Sequence, residues 1–227
     1  MILITIAWLS VAAGSAQPAS PSAALLEATR WYTGVAGRVD DARAKDLLEA
    51  AVAEGDPLAR MWMARVLSRG RMGFPQDADR ARAIGAELIG DVRRLAADGV
   101  LEAVFLMGTA FDERLGEPED PVEAIAWFRR AADRGHVLAQ HNVGNAYAAG
   151  RGVAKSEAAA VEWWLKAAGQ GDAIPQLRLG EAYEHGRGVA VDLAEARKWY
   201  GESAGRGNAA ARAALVRLGG QDVDLYR

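Results

Sequence analysis

The chain has 227 residues, of which 51% are hydrophobic and 25% charged, a composition typical of globular rather than disordered proteins. Its formal net charge of −3 gives no overall attraction to nucleic acid or to an anionic membrane surface. The sequence has no cysteine, which excludes disulfides, thiolate zinc sites, thiol nucleophiles and a bacterial lipoprotein anchor.

The N-terminal segment differs in composition from the rest of the chain. Residues 2–13 are apolar, and the small residues Gly14 and Ala16 precede a suitable cleavage position after Ala16. This pattern resembles a secretory signal peptide and is too short for a comfortable membrane span, although no Lys or Arg precedes the apolar run. We therefore predict a signal peptide at residues 1–16, a periplasmic or secreted protein, and no stable membrane insertion after cleavage. A cytoplasmic location is the alternative if the segment is not cleaved.

From residue 41 onward the sequence repeats, with a period of 36 residues that is clearest between 121 and 207. A period in this range is typical of stacked helical repeats, each too small to bury its own hydrophobic face. The sequence predicts an all-α solenoid of about five helix–turn–helix units over 41–219, followed by a tail at 220–227. A linker and an N-terminal capping half-repeat occupy 17–40. The positions that keep the period include Trp127, Trp163 and Trp199, and Gly135, Gly171 and Gly207.

The first two units, over residues 41–120, match the repeat less well. The glycines that end the first helix of each of these units are 44 residues apart, eight more than the period. One extra residue fits the loop around Gly73, and the other seven, about two helical turns, fit the helix near 84–92. That helix is predicted to be longer than its counterparts, or broken near Gly85 or Gly90.

The third unit shows the pattern in full. Its first helix is predicted from Pro121 to Arg134, with Asp120 as the N-cap and Gly135 as the residue of positive φ that ends it. Its second helix is predicted from Val137 to Ala149, where Gly144 allows a neighbouring helix to approach closely. The apolar stripe of the first helix comprises Ala124, Trp127, Phe128, Ala131 and Ala132.

The combination A-x-x-W-[FWY]-x-x-A-A-x-x-G, followed by A-x-x-x-x-[LV]-G-x-x-Y-x-x-G-x-G-V, resembles the Sel1-like repeat family, helical relatives of the tetratricopeptide repeat. The resemblance is specific over about 121–207 and degenerate over 41–120; Pro175 and Ser203 depart from the pattern. It implies a right-handed α-solenoid that serves as a protein-interaction scaffold, and bacterial members are often exported. Some cysteine-rich relatives are linked to β-lactam binding or hydrolysis, which this cysteine-free chain gives no reason to expect.

The sequence offers little that indicates catalysis. His136 occupies an N-cap position, where Asp172 and Asn208 occur in later units, and His141 and His185 lie on different repeats without an HExxH-like pairing. The GRGV loops lack the strand and the third glycine of a dinucleotide site, so their role is predicted to be geometric. We therefore predict no catalytic, cofactor-binding or metal-binding residues, and tryptophans that form the core rather than a recognition surface.

The predicted partner-binding residues are polar residues at equivalent positions of successive units, beside the repeated packing positions. We call each such set a column. Arg94, Arg130 and Lys166 occupy one column on the first helices of three units. If first helices line the concave face, this column is a basic strip that binds an acidic segment of another protein; otherwise it is an ordinary solvated face. The second helices contribute Gln140, Gln176 and Arg178.

The leading hypothesis is a non-enzymatic scaffold or regulator that binds another protein in the bacterial cell envelope. The alternatives are an envelope hydrolase acting on cell-wall or β-lactam substrates, and a cytoplasmic adaptor if residues 1–16 are not a signal peptide.

Overall fold

The structure is a computed structural model that describes residues 20–219; the predicted signal peptide at 1–16 and the tail at 220–227 lie outside this range. The described residues form eleven α-helices and no strand. The helices are α1 (Ala23–Thr33), α2 (Asp41–Ala53), α3 (Pro57–Arg69), α4 (Ala78–Ala97), α5 (Leu101–Glu113), α6 (Pro121–Asp133), α7 (Val137–Ala149), α8 (Glu157–Gly169), α9 (Ala173–His185), α10 (Leu193–Gly205) and α11 (Ala209–Arg217).

Each helix packs mainly against the helices before and after it in the chain, which is the architecture of a solenoid. The predicted all-α solenoid of about five helix pairs is confirmed. Between residues 20 and 219, no helix is both long and apolar enough to cross a membrane.

The helix boundaries follow from capping side chains and glycines. The Asp120 carboxylate accepts hydrogen bonds from the Val122 and Glu123 N–H groups at the start of α6. At the next helix start, His136 Nδ1 accepts from the Ala139 N–H at 3.2 Å, which confirms its predicted capping role. Both groups satisfy backbone donors that have no partner within the helix.

Helix α4 contains the predicted insertion. It is a continuous helix of 20 residues, whereas its counterparts α6, α8 and α10 have 13 each, so the longer helix is the correct alternative and there is no break. Gly85 lies so close to the Leu115 backbone that a side chain at 85 would clash, whereas Gly90 faces open space. The insertion therefore extends α4 by two turns and keeps its buried face in register.

The deepest aromatic rings are not all at the 36-residue tryptophan positions. Trp163 is buried, but Trp127 and Trp199 are only partly buried. All three pack against the hydrophobic core, as predicted, but Trp127 and Trp199 lie at its edge. The aromatic residue directly after each of these tryptophans is buried, because its ring lies against a glycine of the preceding helix. The pairs are Phe128 on Gly108, Trp164 on Gly144 and Tyr200 on Gly180.

Helix α1 joins the two ends of the array. Near its start, the Ser22 N–H donates to the Asp56 carboxylate at 2.7 Å, beside the first unit. After its end, the Gly34 carbonyl accepts from Arg206 Nη1, and the Val39 N–H donates to the Arg206 carbonyl, each at 2.9 Å. The half-repeat was predicted only to cap the N-terminal end. It also contacts the fifth unit, so the array closes on itself, and we call these contacts to Arg206 the closure contact.

Candidate functional site

A cavity of about 480 Å³ lies inside the curve of the array. Its wall is formed mainly by α7 and one side of α6, with the last turns of α1, α3 and α5 and the start of α9. In the frame used for the sequence, α6 is a first helix and α7 is a second helix, so helices of both kinds line this cavity. Both helices of a unit carry one buried and one exposed stripe, and this pattern does not distinguish an inner from an outer helix.

Arg65 is a buried cation in the wall of this cavity. Arg65 is only 5% exposed, and its Nε and Nη1 atoms have no hydrogen-bond partner among residues 20–219. The guanidinium carbon lies 4.6 Å from the Trp62 ring centroid, with the rings of Phe105 and Tyr32 at 5.5 and 5.8 Å. Cation–π attraction thus offsets part of the cost of burying the charge.

Burial and the neighbouring Arg71 both lower the pKa of Arg65, against the attraction of Glu113. An arginine nevertheless stays protonated at physiological pH, because its ordinary pKa is above 12. Arg65 is therefore a buried positive charge whose Nε and Nη1 atoms are unpaired and closed to solvent.

The other arginines of the cavity wall are paired with carboxylates. Arg71 Nη2 lies 2.7 Å from Glu113 Oε1, while Arg69 and Arg151 both contact Asp112, at 3.3 and 3.2 Å. Burial raises the pKa of Asp112 despite these two cations. Burial acts on the pKa of Glu113 in the same direction, but the hydrogen bond from Arg71 and the charge of Arg65 hold it below its ordinary value.

A histidine–aspartate pair lies further along the wall. His141 Nδ1 is 3.1 Å from Asp172 Oδ2, and Asp172 also accepts from the Ile174 N–H at the start of α9. Asp172 is 1% exposed, so the pair has little access to water. Across the described part of the chain, no group of three or more His, Cys, Asp or Glu side chains could hold a metal ion.

The predicted basic strip lies away from the cavity wall. Arg94, Arg130 and Lys166 are all exposed, on α4, α6 and α8. The Arg130 guanidinium lies 4.5 Å from the Trp127 ring centroid, and Lys166 Nζ lies 3.6 Å from that of Trp163. In α4 an aspartate replaces the tryptophan, and Arg94 pairs with this Asp91 at 2.9 Å. Partner binding by the strip stays a prediction.

The predicted polar column of second helices is partly structural. Gln140 and Gln176 are buried at 6% and 2% exposure, so they do not form a surface column. Each amide donates at 3.1 Å to a carbonyl near the end of the preceding helix, Ala132 O and Ala168 O, where carbonyls lack intrahelical partners. Arg178 is exposed and pairs with Glu181 at 2.9 Å.

Sequence reasoning did not single out Arg65. The available signal was an arginine inside an otherwise apolar run, MWMARVL at 61–67. In a helix whose other charged residues lie at its ends, such a residue is a buried cation that needs a partner or an aromatic neighbour.

The Sel1 repeat family model matches residues 57–83, 101–136, 137–172 and 176–208, together more than half of the chain. The chain belongs to the Sel1 repeat family. Each match begins at or near the start of α3, α5, α7 or α9, so the Sel1 frame pairs α3 with α4, α5 with α6, α7 with α8 and α9 with α10. This frame starts one helix later than the units used for the sequence.

Solved structures agree with this assignment. The chain is similar to c5321, a protective antigen present in uropathogenic Escherichia coli strains, with 27% identity, a TM-score of 0.55, and coverage of 83% of this chain and 46% of that one. It is also similar to a Sel1 repeat protein from Oxalobacter formigenes, with 34% identity, a TM-score of 0.53, and coverage of 79% and 49%. The chain thus spans about half the length of both.

An immunity protein, Pa5087 from Pseudomonas aeruginosa, shares the fold at 22% identity, with a TM-score of 0.51 and coverage of 87% of this chain and 72% of that one. A comparison with curated proteins finds no match.

Proposed function

We propose that this Sel1 repeat protein is a non-enzymatic scaffold or regulator that binds another protein in the bacterial cell envelope through the inner surface of its array. Sel1 repeat proteins are generally protein-interaction scaffolds. The observation that carries the proposal is the cavity, a concave surface preformed by consecutive repeats and held in place by the closure contact. A preformed surface lowers the entropic cost of binding a partner.

The composition of the cavity wall suits a polypeptide. Ile125, Leu138 and Phe128 supply apolar surface, and the amide of Asn142 supplies donors and an acceptor for a peptide backbone. The wall also carries four arginines and four carboxylates, so it offers charged and polar groups beside the apolar ones.

A blocked cavity tests the proposed surface. The matured chain, residues 17–227, is cross-linked in an envelope extract, and the captured proteins are identified by mass spectrometry. We expect a specific partner with the wild type, loss of that partner with Asn142→Trp, which fills the cavity, and retention with Ala97→Trp on the exposed face of α4. Equal capture by both variants would place the interaction elsewhere.

The envelope location is proposed from the apolar residues 2–13 and the small residues Gly14 and Ala16. A fusion of residues 1–25 to a reporter that is active only in the periplasm should be active. An inactive fusion would favour the cytoplasmic adaptor.

The absence of an enzymatic role is also a proposal. The purified protein should not turn over nitrocefin or peptidoglycan, and measurable hydrolysis of either would favour the envelope hydrolase.

A further inference from the structure

A pocket of about 380 Å³ adjoins the cavity one repeat further along the array. The pocket and the cavity share Asn145 and Ala149 of α7 as lining residues. Most residues of the pocket lie 36 positions after a residue of the cavity wall, as Arg187 lies 36 positions after Arg151. The pocket is therefore the counterpart of this part of the cavity in the next unit, and the two can be compared position by position.

Arg151 and Arg187 occupy loops of the same backbone geometry. Each directly follows a glycine of positive φ, 70° in the first loop and 68° in the second. The N–H of each arginine donates to the carbonyl five residues earlier, that of Ala146 at 3.0 Å and that of Ala182 at 2.9 Å. A difference between the surroundings of the two guanidinium groups therefore comes from the neighbouring side chains and not from the loops.

The carboxylate partners of Arg151 have no counterparts in the next unit. Arg151 Nη2 lies 3.2 Å from Asp112 Oδ1 and 2.9 Å from Glu119 Oε1. Thirty-six positions later the chain has Ala148 and Lys155, a methyl group and a cation. The arginine of the second loop therefore lacks both acids that neutralise the arginine of the first.

Arg187 has one shared acid among residues 20–219. Its Nη2 lies 3.4 Å from Glu181 Oε2, an oxygen that already accepts from Arg178 Nη1 at 2.9 Å. The other charged residues of the lining, Lys155 and Glu157, pair with each other at 3.3 Å. The pocket thus has three cations and two carboxylates, an excess of one positive charge. The side chains of Arg178 and Arg187 are 46% and 51% exposed, so a ligand can reach both.

We propose that this pocket binds the carboxylate of an acidic residue in a peptide segment of the partner, with Arg187 and Arg178 as the groups that pair with it. This inference rests on the proposed function and assigns its ligand chemistry. The bound carboxylate takes the place that Asp112 has beside Arg151 in the preceding unit, where the short side chain of Ala148 leaves room.

Size and charge favour a single carboxylate on a peptide. A volume of about 380 Å³ is within the range of ligand pockets and admits one side chain with its neighbouring backbone. Hydrogen bonds from a guanidinium to a carboxylate are short and strong. One carboxylate balances the excess charge, whereas a doubly charged phosphate would leave the pocket negative. Because the pocket and the cavity share lining residues, the neighbours of the acidic residue can lie along the cavity wall.

The test uses the pentapeptide acetyl-Ala-Ala-Asp-Ala-Ala-amide and its Asn counterpart, titrated into the full chain and followed by NMR. We expect the Asp peptide to bind the wild type at least tenfold more tightly than the Asn peptide does, and to shift the Nε–H resonance of Arg187. The Arg187→Gln variant should lose this preference. The control Arg212→Gln, an exposed arginine of α11 outside the pocket, should keep it.

A second pair of variants supplies the missing acid from the chain itself. Ala148→Asp places a carboxylate at the position equivalent to Asp112, where it should pair with Arg187. We expect this variant to bind the Asp peptide at least tenfold more weakly than Ala148→Asn, which has a side chain of the same size without the charge. Equal binding by the two variants would contradict the role of Arg187.

Three further results would overturn the proposal: no binding of the Asp peptide, equal binding of the two peptides, or an unchanged preference in Arg187→Gln. Propionate binding as tightly as the Asp peptide would overturn the assignment to a peptide. Binding that occurs only in the double variant Asp222→Asn/Asp224→Asn would assign the pocket to the acidic residues of the chain's own tail instead of a partner.

Failure here is distinguishable from failure of the proposed function. A partner captured from the envelope extract equally by wild type and Arg187→Gln would contradict the role of Arg187 and leave the scaffold function intact. Capture of no partner by any variant would contradict the scaffold function itself.

Discussion

The indole ring of Trp164 occupies the space that a side chain at Gly144 would need: a Cβ at position 144 would lie 2.4 Å from Trp164 Cδ1. The same relationship joins Phe128 to Gly108 at 2.5 Å and Tyr200 to Gly180 at 2.4 Å. Each aromatic ring thereby packs directly on the backbone of the preceding helix. Since each repeat packs mainly against its neighbours, these pairs are among the contacts that hold successive helices together.

Replacing Gly144 with Ala should destabilise the protein. The new methyl group would displace a ring that is 8% exposed, and such overpacking costs about 1–3 kcal/mol. The control is Gly90→Ala, also within a helix but facing open space, which should stabilise by about 0.5–1 kcal/mol through the unfolded state. Chemical denaturation of both variants measures the difference, and equal stabilities would contradict the packing role of Gly144.

The two aromatic positions of each unit should differ in their contribution to stability. Trp164→Ala removes a buried ring and should cost about 3–5 kcal/mol. Trp127→Ala should cost less, because that ring is partly exposed and its contact with Arg130 contributes only about 0.5–1 kcal/mol. Unfolding free energies from urea titrations give the comparison, and a larger loss for Trp127→Ala would show that the first ring is the packing residue.

Local patterns in the sequence predicted the helices well because they are set by local physics. Capping side chains, glycines and helical spacing are visible within the sequence of one unit. They determine the N-caps, the start of α7 at 137, its end at 149 and the greater length of α4. Pro175, which departs from the repeat pattern, lies in the first turn of α9, where its missing N–H needs no partner.

The candidate site could not be predicted in the same way because it depends on how the units curve. Packing between repeats determines which helices line the cavity. The Gln140 side chain is buried because its amide donates to a carbonyl of the preceding helix. The closure contact joins Gly34 to Arg206, 172 residues apart, and no repeat-level pattern encodes it. The place of Arg65 in the wall is apparent only once the cavity around it is known.

The closure contact should restrain α1. Replacing Arg206 with Ala removes the hydrogen bond from its guanidinium to the Gly34 carbonyl and leaves the backbone bond to Val39. We expect faster hydrogen exchange in residues 23–40, measured by mass spectrometry, with little change elsewhere. Arg212→Ala, an exposed arginine on α11, is the control and should leave the exchange of this segment unchanged. Unaltered exchange in Arg206→Ala would mean that the contact does not stabilise α1.

The C-terminal helices contain a carboxylate that should make stability depend on acid pH. Glu184 of α9 accepts hydrogen bonds from Arg217 Nη2 of α11 and from the Tyr200 hydroxyl of α10, each at 2.7 Å. The hydrogen bond from Arg217 is the largest influence; burial opposes it and Tyr200 reinforces it, and together they lower the pKa of Glu184 from 4.5 to about 2. Burial, together with the Glu184 carboxylate, raises the pKa of Tyr200, so its hydroxyl remains a donor.

Because the pKa of Glu184 is lower in the folded than in the unfolded protein, ionised Glu184 stabilises the fold above the unfolded-state value. That contribution should be lost as the pH falls from 4.5 towards about 2. The Glu184→Gln variant should therefore have a lower free energy of unfolding than the wild type at neutral pH. This difference in unfolding free energy should narrow as the pH falls through the acid range. Urea unfolding at a series of pH values gives the difference, with Glu202→Gln, exposed on α10, as the control. A difference for Glu184→Gln that stays constant with pH would show that the carboxylate charge does not contribute to holding the last three helices together.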